Sequence, residues 1–282
     1  MIRRIQRLAF ALMALALPAT AQEDTLRPPP QPPQPAPAPA IAPQAADSTA
    51  ALAPLVLPFG VGERAEYSVK FGFIPAGSGS MEVLGVDTIR GHPAYHTVFR
   101  VRGGIPGYRV MDRLESWMDT RSLAALRHRQ ELSEGSRDRE RQFEIYPDRG
   151  FYVADDRDTA ATVPLPLDDG SFLYFVRTVP LEIGREYSFN RYFRPDRNPV
   201  RIKVLRREQV TVPAGTFNAI VIQPIIKTKG IFSEDGRAEV WISDDSTRVM
   251  LQMKSHLRIG SLNMYLKNYV PGKTAVDSAR TR

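Results

Sequence analysis

The chain has 282 residues, 43% hydrophobic and 24% charged, and no cysteine, which excludes a disulfide scaffold, a cysteine zinc site, a thiol nucleophile and a lipid-modified N-terminal Cys. The formal charge is +7, but Arg3, Arg4 and Arg7 sit in the first segment, and from Gln22 onward 35 basic residues face 31 acidic ones. So small and interspersed an excess argues against nucleic acid as a partner.

Met1 to Arg7 is basic, Leu8 to Leu17 is apolar throughout, and Ala19-Thr20-Ala21 is an Ala-x-Ala cleavage pattern. This is the layout of a secretory signal over residues 1–21, and it predicts export, with the periplasm as destination. A helix needs about 20 apolar residues to cross a bilayer. The first run is too short and no later one is long enough, so an integral helical membrane protein is not expected. Residues 22–57 are rich in Pro, Ala and Gln, including Pro28-Pro29-Pro30-Gln31-Pro32-Pro33. They read as a disordered linker biased to polyproline II, able to span on the order of 100 Å.

From Gly60 the pattern changes to short β-branched and aromatic runs separated by Gly, Pro, Asp and Asn. Strands are predicted at Arg64–Phe73, Gly79–Ile89, Ala94–Arg102, Tyr108–Met118, Ala125–Leu132, Asp138–Ile145, Phe151–Ala154 and Glu186–Phe193. Five more follow at Val200–Val212, Phe217–Pro224, Arg237–Ser243, Met250–His256 and Gly260–Tyr269. Ile74-Pro75-Ala76-Gly77, Val212-Pro213-Ala214-Gly215 and Glu134-Gly135 read as hairpin turns. Between them, Asp168-Asp169 offers an N-cap to a short helix through Phe172, Phe175, Val176 and Val179, ending before Pro180. The expected fold is mostly β: a curved antiparallel meander, half-barrel or barrel, with one short helix packed on its concave face. It forms a single β domain over residues 58–270, followed by a disordered tail over 271–282.

The run Gly62 to Tyr67, Ile74-Pro75-Ala76-Gly77, Asp112 to Asp119, Leu167 to Gly184 and Val212 to Phe217 together resemble the bacterial exported family called domain of unknown function 3108. The strand Ala238 to Asp245 is similar to one in the lipoprotein-carrier and sensor domains of the bacterial envelope. That second resemblance implies a curved antiparallel sheet wrapped around an apolar cavity.

Chemistry is sparse. His92 and His96, if extended, stand ~13 Å apart, too far to share a metal, and no metal ligand set is predicted. The pairs Asp155/Asp156, Asp168/Asp169 and Asp244/Asp245 fall at turns or a helix start and read as caps. No G-x-S-x-G elbow or Walker A loop occurs, so no catalytic residue and no cofactor is assigned. In Arg137-Asp138-Arg139-Glu140-Arg141 the three arginines alternate onto one face with Phe143 and Ile145, opposite Leu126, His128, Gln130 and Leu132 of the preceding strand. Two readings of that face stay open: a basic cavity mouth receiving an anionic head group, or solvated strands projecting past the sheet. Phe172, Tyr174 and Phe175 of the helix, with Trp117 and Trp241, would line the apolar part, or simply form core. The candidate ligand-binding residues are therefore Trp117, Arg137, Arg139, Arg141, Phe172, Tyr174 and Phe175. The expected function is non-enzymatic binding or carriage of an apolar or amphiphilic, lipid-like molecule. The alternative is a structural or assembly protein holding envelope protein partners.

Overall fold

In the computed structural model, which describes residues 57–227, 238–257 and 260–273, the alternation read from the sequence becomes a hydrogen-bonded ladder. The expected signal, nearly all of the linker and residues 274–282 lie outside the described residues. The first strand shows the rule: in β1 (Arg64–Phe71) Ala65, Tyr67 and Val69 are buried while Arg64, Glu66, Ser68 and Lys70 point to the other face. It is followed by β2 (Ile74–Ile89), β3 (His92–Ile105), β4 (Tyr108–Asp119), β5 (Ala125–Glu134), β6 (Arg137–Tyr146), β7 (Phe151–Ala154) and β8 (Asp158–Ala161). After α1 (Ser171–Val176) come β9 (Glu186–Phe189), β10 (Val200–Val212), β11 (Gly215–Ile225), β12 (Glu239–Ser243), β13 (Met250–Leu257) and β14 (Gly260–Val270).

Among the described residues fourteen strands form one sheet in the order β8-β7-β6-β5-β4-β3-β2-β1-β14-β13-β12-β11-β10-β9, every neighbouring pair antiparallel. The first and last strands therefore pair in the middle, and the sheet stays open between β8 and β9. Register shifts interrupt the pairing, for example at Glu66/Tyr67, Val83/Gly85, Trp117/Met118 and Val204/Arg206. Bulges of this kind bend a strand and raise its twist, so the sheet curves into a half-barrel without closing. The connection from β8 to β9 cannot be a hairpin, because it joins opposite edges of the sheet. It crosses the concave face instead and carries α1 with it.

Several details differ from expectation. The first turn is Gly72-Phe73, with Gly72 at φ 58°, and Phe71 faces Ile74. Ile74 to Gly77 belongs to β2, and Pro75 is tolerated there beside a register shift where it pairs only toward β1. The next turn is Arg90-Gly91, both at positive φ, and His92 and Pro93 already belong to β3. Gly135-Ser136 rather than Glu134-Gly135 closes β5 onto β6. Moving that turn by one residue moves each partner by two, so the face of every side chain is kept. Helix α1 stops at Val176 although irregular turns continue to Val179. At the margins, Leu57 is buried, and Lys273 bridges Val61 within the stretch expected to be a tail.

Candidate ligand-binding site on the concave face

Helix α1 is short, and its own six residues would not hold a helix in water. Its position is set by polar anchors at both ends. At the start, Asp168 Oδ1 accepts from the N–H groups of Gly170 and Ser171, each at 2.8 Å, and Ser171 Oγ accepts from Asp168 N at 2.8 Å. The same carboxylate oxygen accepts from Ser116 Oγ of β4 at 2.5 Å, which ties the helix start to the sheet. Beside it, His128 of β5 is fully buried, with Nδ1 donating to Glu115 O at 2.8 Å. Asp168 Oδ1 lies 3.6 Å from Nδ1 and Asp169 Oδ2 lies 3.7 Å from Nε2. Burial alone lowers the pKa of His128, but the two carboxylates outweigh it and hold the imidazole up to about 9. Gln130 Nε2 stands 2.9 Å from His128 Nε2 and donates to Asp169 Oδ2 at 3.0 Å, joining the ring to the second carboxylate. Tyr192 completes the group, donating to Asp169 Oδ1 at 2.8 Å.

A serine, a histidine and two aspartates in one buried cluster contain the residue types of a hydrolytic triad, but not its order of hydrogen bonds. The serine hydroxyl donates to the carboxylate, and the histidine nitrogen facing it, 3.5 Å away, is already committed to a backbone carbonyl. The arrangement is a clasp for α1.

At the other end, Arg177 and Glu63 form a two-pronged ion pair of 2.6 and 2.8 Å, their side chains 3% and 2% exposed. Arg177 also donates to Pro58 O and Thr247 O, and Tyr269 donates to Glu63 Oε2 at 3.1 Å. Burial, then the Glu63 charge, pushes the Tyr269 hydroxyl up to about 12. Between the clasps the apolar side of α1 meets the sheet. Phe172, Leu173 and Val176 face Tyr67, Met81, Ile222, Val240 and Met250 across a pocket of about 10 Å³, the room of a single water molecule. Glu63 and Arg177 are the charged residues of its lining. Arg177 Nε is buried without a hydrogen-bond partner, as is Tyr174 Oη outside the pocket lining, and Arg177 stands 5.6 Å from the Tyr174 ring centroid.

The structure brings some of the sequence-predicted residues together and separates others. Phe172, Tyr174 and Phe175 are all buried on α1. Trp117 is on the opposite face, because His128 points to the helix and pairs with Ser116, which turns the neighbouring Trp117 outward. There it stacks on His96 at 4.2 Å, donates to Asp87 Oδ2 and packs with Ile89, Ala94 and Leu126. Leu126 joins that outer cluster because the register shift at Trp117/Met118 takes it off the face of His128. Trp241 also faces outward, bonded to Glu208 at 2.6 Å. Arg137 and Arg139 are exposed at the far end of β6, whereas Arg141 is paired with Asp155 at 3.1 Å and lies over Phe143. None of the three lines the pocket beneath α1. Nothing in the sequence pattern marks His128, Asp168, Glu63 or Arg177 as site residues. Strand alternation had put His128 on the inner face, but nothing local marked its carboxylate partners, which come from 40 residues further along the chain. Arg177 and Glu63 are more distant still, 114 positions apart.

Among the described residues no helix is long and apolar enough to cross a membrane. Nor does any group of three or more His, Asp or Glu stand close enough to hold a metal ion.

Fold and site define an open antiparallel half-barrel stoppered by a clasped helix. The chain belongs to the family described as protein of unknown function DUF3108, whose model matches residues 66–267. No curated protein matches it. Among solved structures it is similar to a β-barrel-like DUF1849 protein from Brucella abortus, with 9% identity, coverage of 76% of this chain and 99% of that one, and a TM-score of 0.47. A Parabacteroides distasonis chain, provisionally described as a lipoprotein, is 11% identical with a TM-score of 0.35, covering 76% and 99%. A Bacteroides fragilis chain of YmcC-like fold, provisionally described as exported, is 9% identical with a TM-score of 0.29, covering 77% and 100%. At these identities none of them speaks to the ligand or partner of this chain.

Proposed function

We propose that this is an exported, periplasmic, non-enzymatic domain that binds or carries an amphiphile between α1 and the concave face. The observation that carries the reading is an apolar pocket beneath α1 whose lining includes one charged pair, Glu63 and Arg177, with Arg177 Nε buried and without a hydrogen-bond partner. An unsatisfied buried donor costs about 1–3 kcal/mol, and an acceptor-bearing head such as a carboxylate or phosphate relieves it. The apolar chain of the same molecule follows the pocket past Phe172, Ile222 and Val240. With room for one water at rest, uptake requires α1 to lift, and the gap between β8 and β9 is the side on which the sheet leaves space. Export is supported by the basic, apolar and Ala-x-Ala order of residues 1–21. The arginines of β6 serve as a secondary attraction for the anionic head, with Arg141 already stacked on Phe143.

Mass spectrometry under non-denaturing conditions, on protein isolated from its own envelope, tests this. One bound fatty acid or lysophospholipid per chain is expected, with Val240→Phe, which fills the pocket, lowering its occupancy several-fold. Bare protein, from the envelope and after incubation with palmitate and lysophosphatidylglycerol, would refute it.

A further inference from the structure

Three hairpin turns, Gly72-Phe73, Pro106-Gly107 and Gly135-Ser136, lie side by side at one end of the sheet. The registers place them: Phe71 faces Ile74, Gly77 faces Gly103, Ile105 faces Tyr108, and Val110 faces Glu134. Glycines press the row together. A Cβ on Gly77 would meet Arg102 O at 2.1 Å and one on Gly103 would meet Ala76 O at 1.9 Å, while Gly135 N donates to Arg109 O. At the apex of this tight end Phe73 is 99% exposed and Ile74 58% exposed. Residues 70–77, 102–110 and 134–139 add the exposed cations Lys70, Arg102, Arg109, Arg137 and Arg139 against two acids, Glu134 and Asp138.

We propose that this end docks on an anionic lipid surface, with Phe73 and Ile74 entering the interface and the five cations resting on its head groups. A protein partner is disfavoured by shape: protein interfaces bury a contiguous patch, whereas here one aromatic ring stands almost free at the tip of a two-residue turn. An aromatic and an aliphatic side chain projecting from a basic rim is instead the layout of a shallow membrane anchor. The proposal does not rest on a ligand beneath α1: Phe73, Ile74, Lys70, Arg102 and Arg109 have no part in that site, and only Arg137 and Arg139 are common to both.

Co-sedimentation of the full chain with vesicles tests it, using phosphatidylglycerol and phosphatidylethanolamine at 3:7 against pure phosphatidylcholine. Binding to the anionic vesicles alone is expected. It weakens at least tenfold in Phe73→Ser/Ile74→Ser, about fivefold for each of Arg102→Ser, Arg109→Ser and Arg137→Ser, and strongly in 0.5 M salt. The unfolding midpoint of the Phe73→Ser/Ile74→Ser variant should match the parent, since these side chains are exposed. Equal vesicle binding by parent and variant would overturn the proposal. So would self-association or capture of a protein that is lost in the variant while vesicle binding is absent in both.

Discussion

Arg177 and Glu63 meet two-pronged, at 2.6 and 2.8 Å, at the point where the end of α1 touches the strand-entry loop before β1. Both are buried, so removing either partner strands the other charge in the interior. Glu63→Gln and Arg177→Met should each cost about 3–5 kcal/mol in urea denaturation. The double variant Glu63→Leu/Arg177→Met should cost less than the two single losses together, since it leaves no lone charge. Full additivity would show that the two side chains act separately.

His128 makes the start of α1 pH-dependent. Its folded pKa, about 9, is above the ordinary value of 6.5. The stabilisation is therefore complete below pH 6.5 and disappears as the pH rises through 9. It amounts to on the order of 3 kcal/mol in full. The melting temperature should fall between pH 6 and 9.5 in the parent, and much less in His128→Gln. Parallel profiles for the two would mean that another group titrates.

The helix face is a packed interface. Phe172 is fully buried against the sheet, so Phe172→Ala should destabilise by about 3–5 kcal/mol. The truncation also enlarges the pocket, and palmitate occupancy measured by mass spectrometry should rise. Loss of stability without added occupancy would separate the packing role from a binding role.

Gly103 and Gly77 hold β2 and β3 at a separation no Cβ can share. Gly103→Ala should force the ends of the first two hairpins apart while leaving the helix clasps intact. Hydrogen exchange is expected to quicken in residues 72–78 and 102–108 and to stay unchanged in 171–179. Equal protection of the hairpin ends in parent and variant would contradict the close approach.

Much of this architecture was legible because side-chain period and turn chemistry are local. Strands β1, β2 and β10 carry clear stretches of alternation, and the inner placement of His128 and Gln130 withstands a turn placed one residue off, since such an error shifts partners by two. Three things were not local. Trp117 follows two polar residues, Glu115 and Ser116, that are themselves buried, so hydropathy could not say which face β4 turns inward; only its pairing with His128 through Ser116 does. Leu126 is itself the extra residue of a register shift, Trp117 facing Arg127 and Met118 facing Ala125, and nothing in its local sequence marks a bulge there. The exposed strand β8, Asp-Thr-Ala-Ala, has no apolar alternation and was missed, being specified by its pairing with β7. The clasps of α1 likewise depend on residues brought together by the sheet order, in which the two ends of the chain pair at the centre.

The central claim is that α1 is a movable stopper over an amphiphile site, and hydrogen exchange with and without lysophosphatidylglycerol tests it most directly. A bound amphiphile should speed exchange in residues 171–179, as the helix lifts, while slowing it in β11 and β12 beneath. Unchanged exchange in all three segments at saturating lysophosphatidylglycerol would contradict the account.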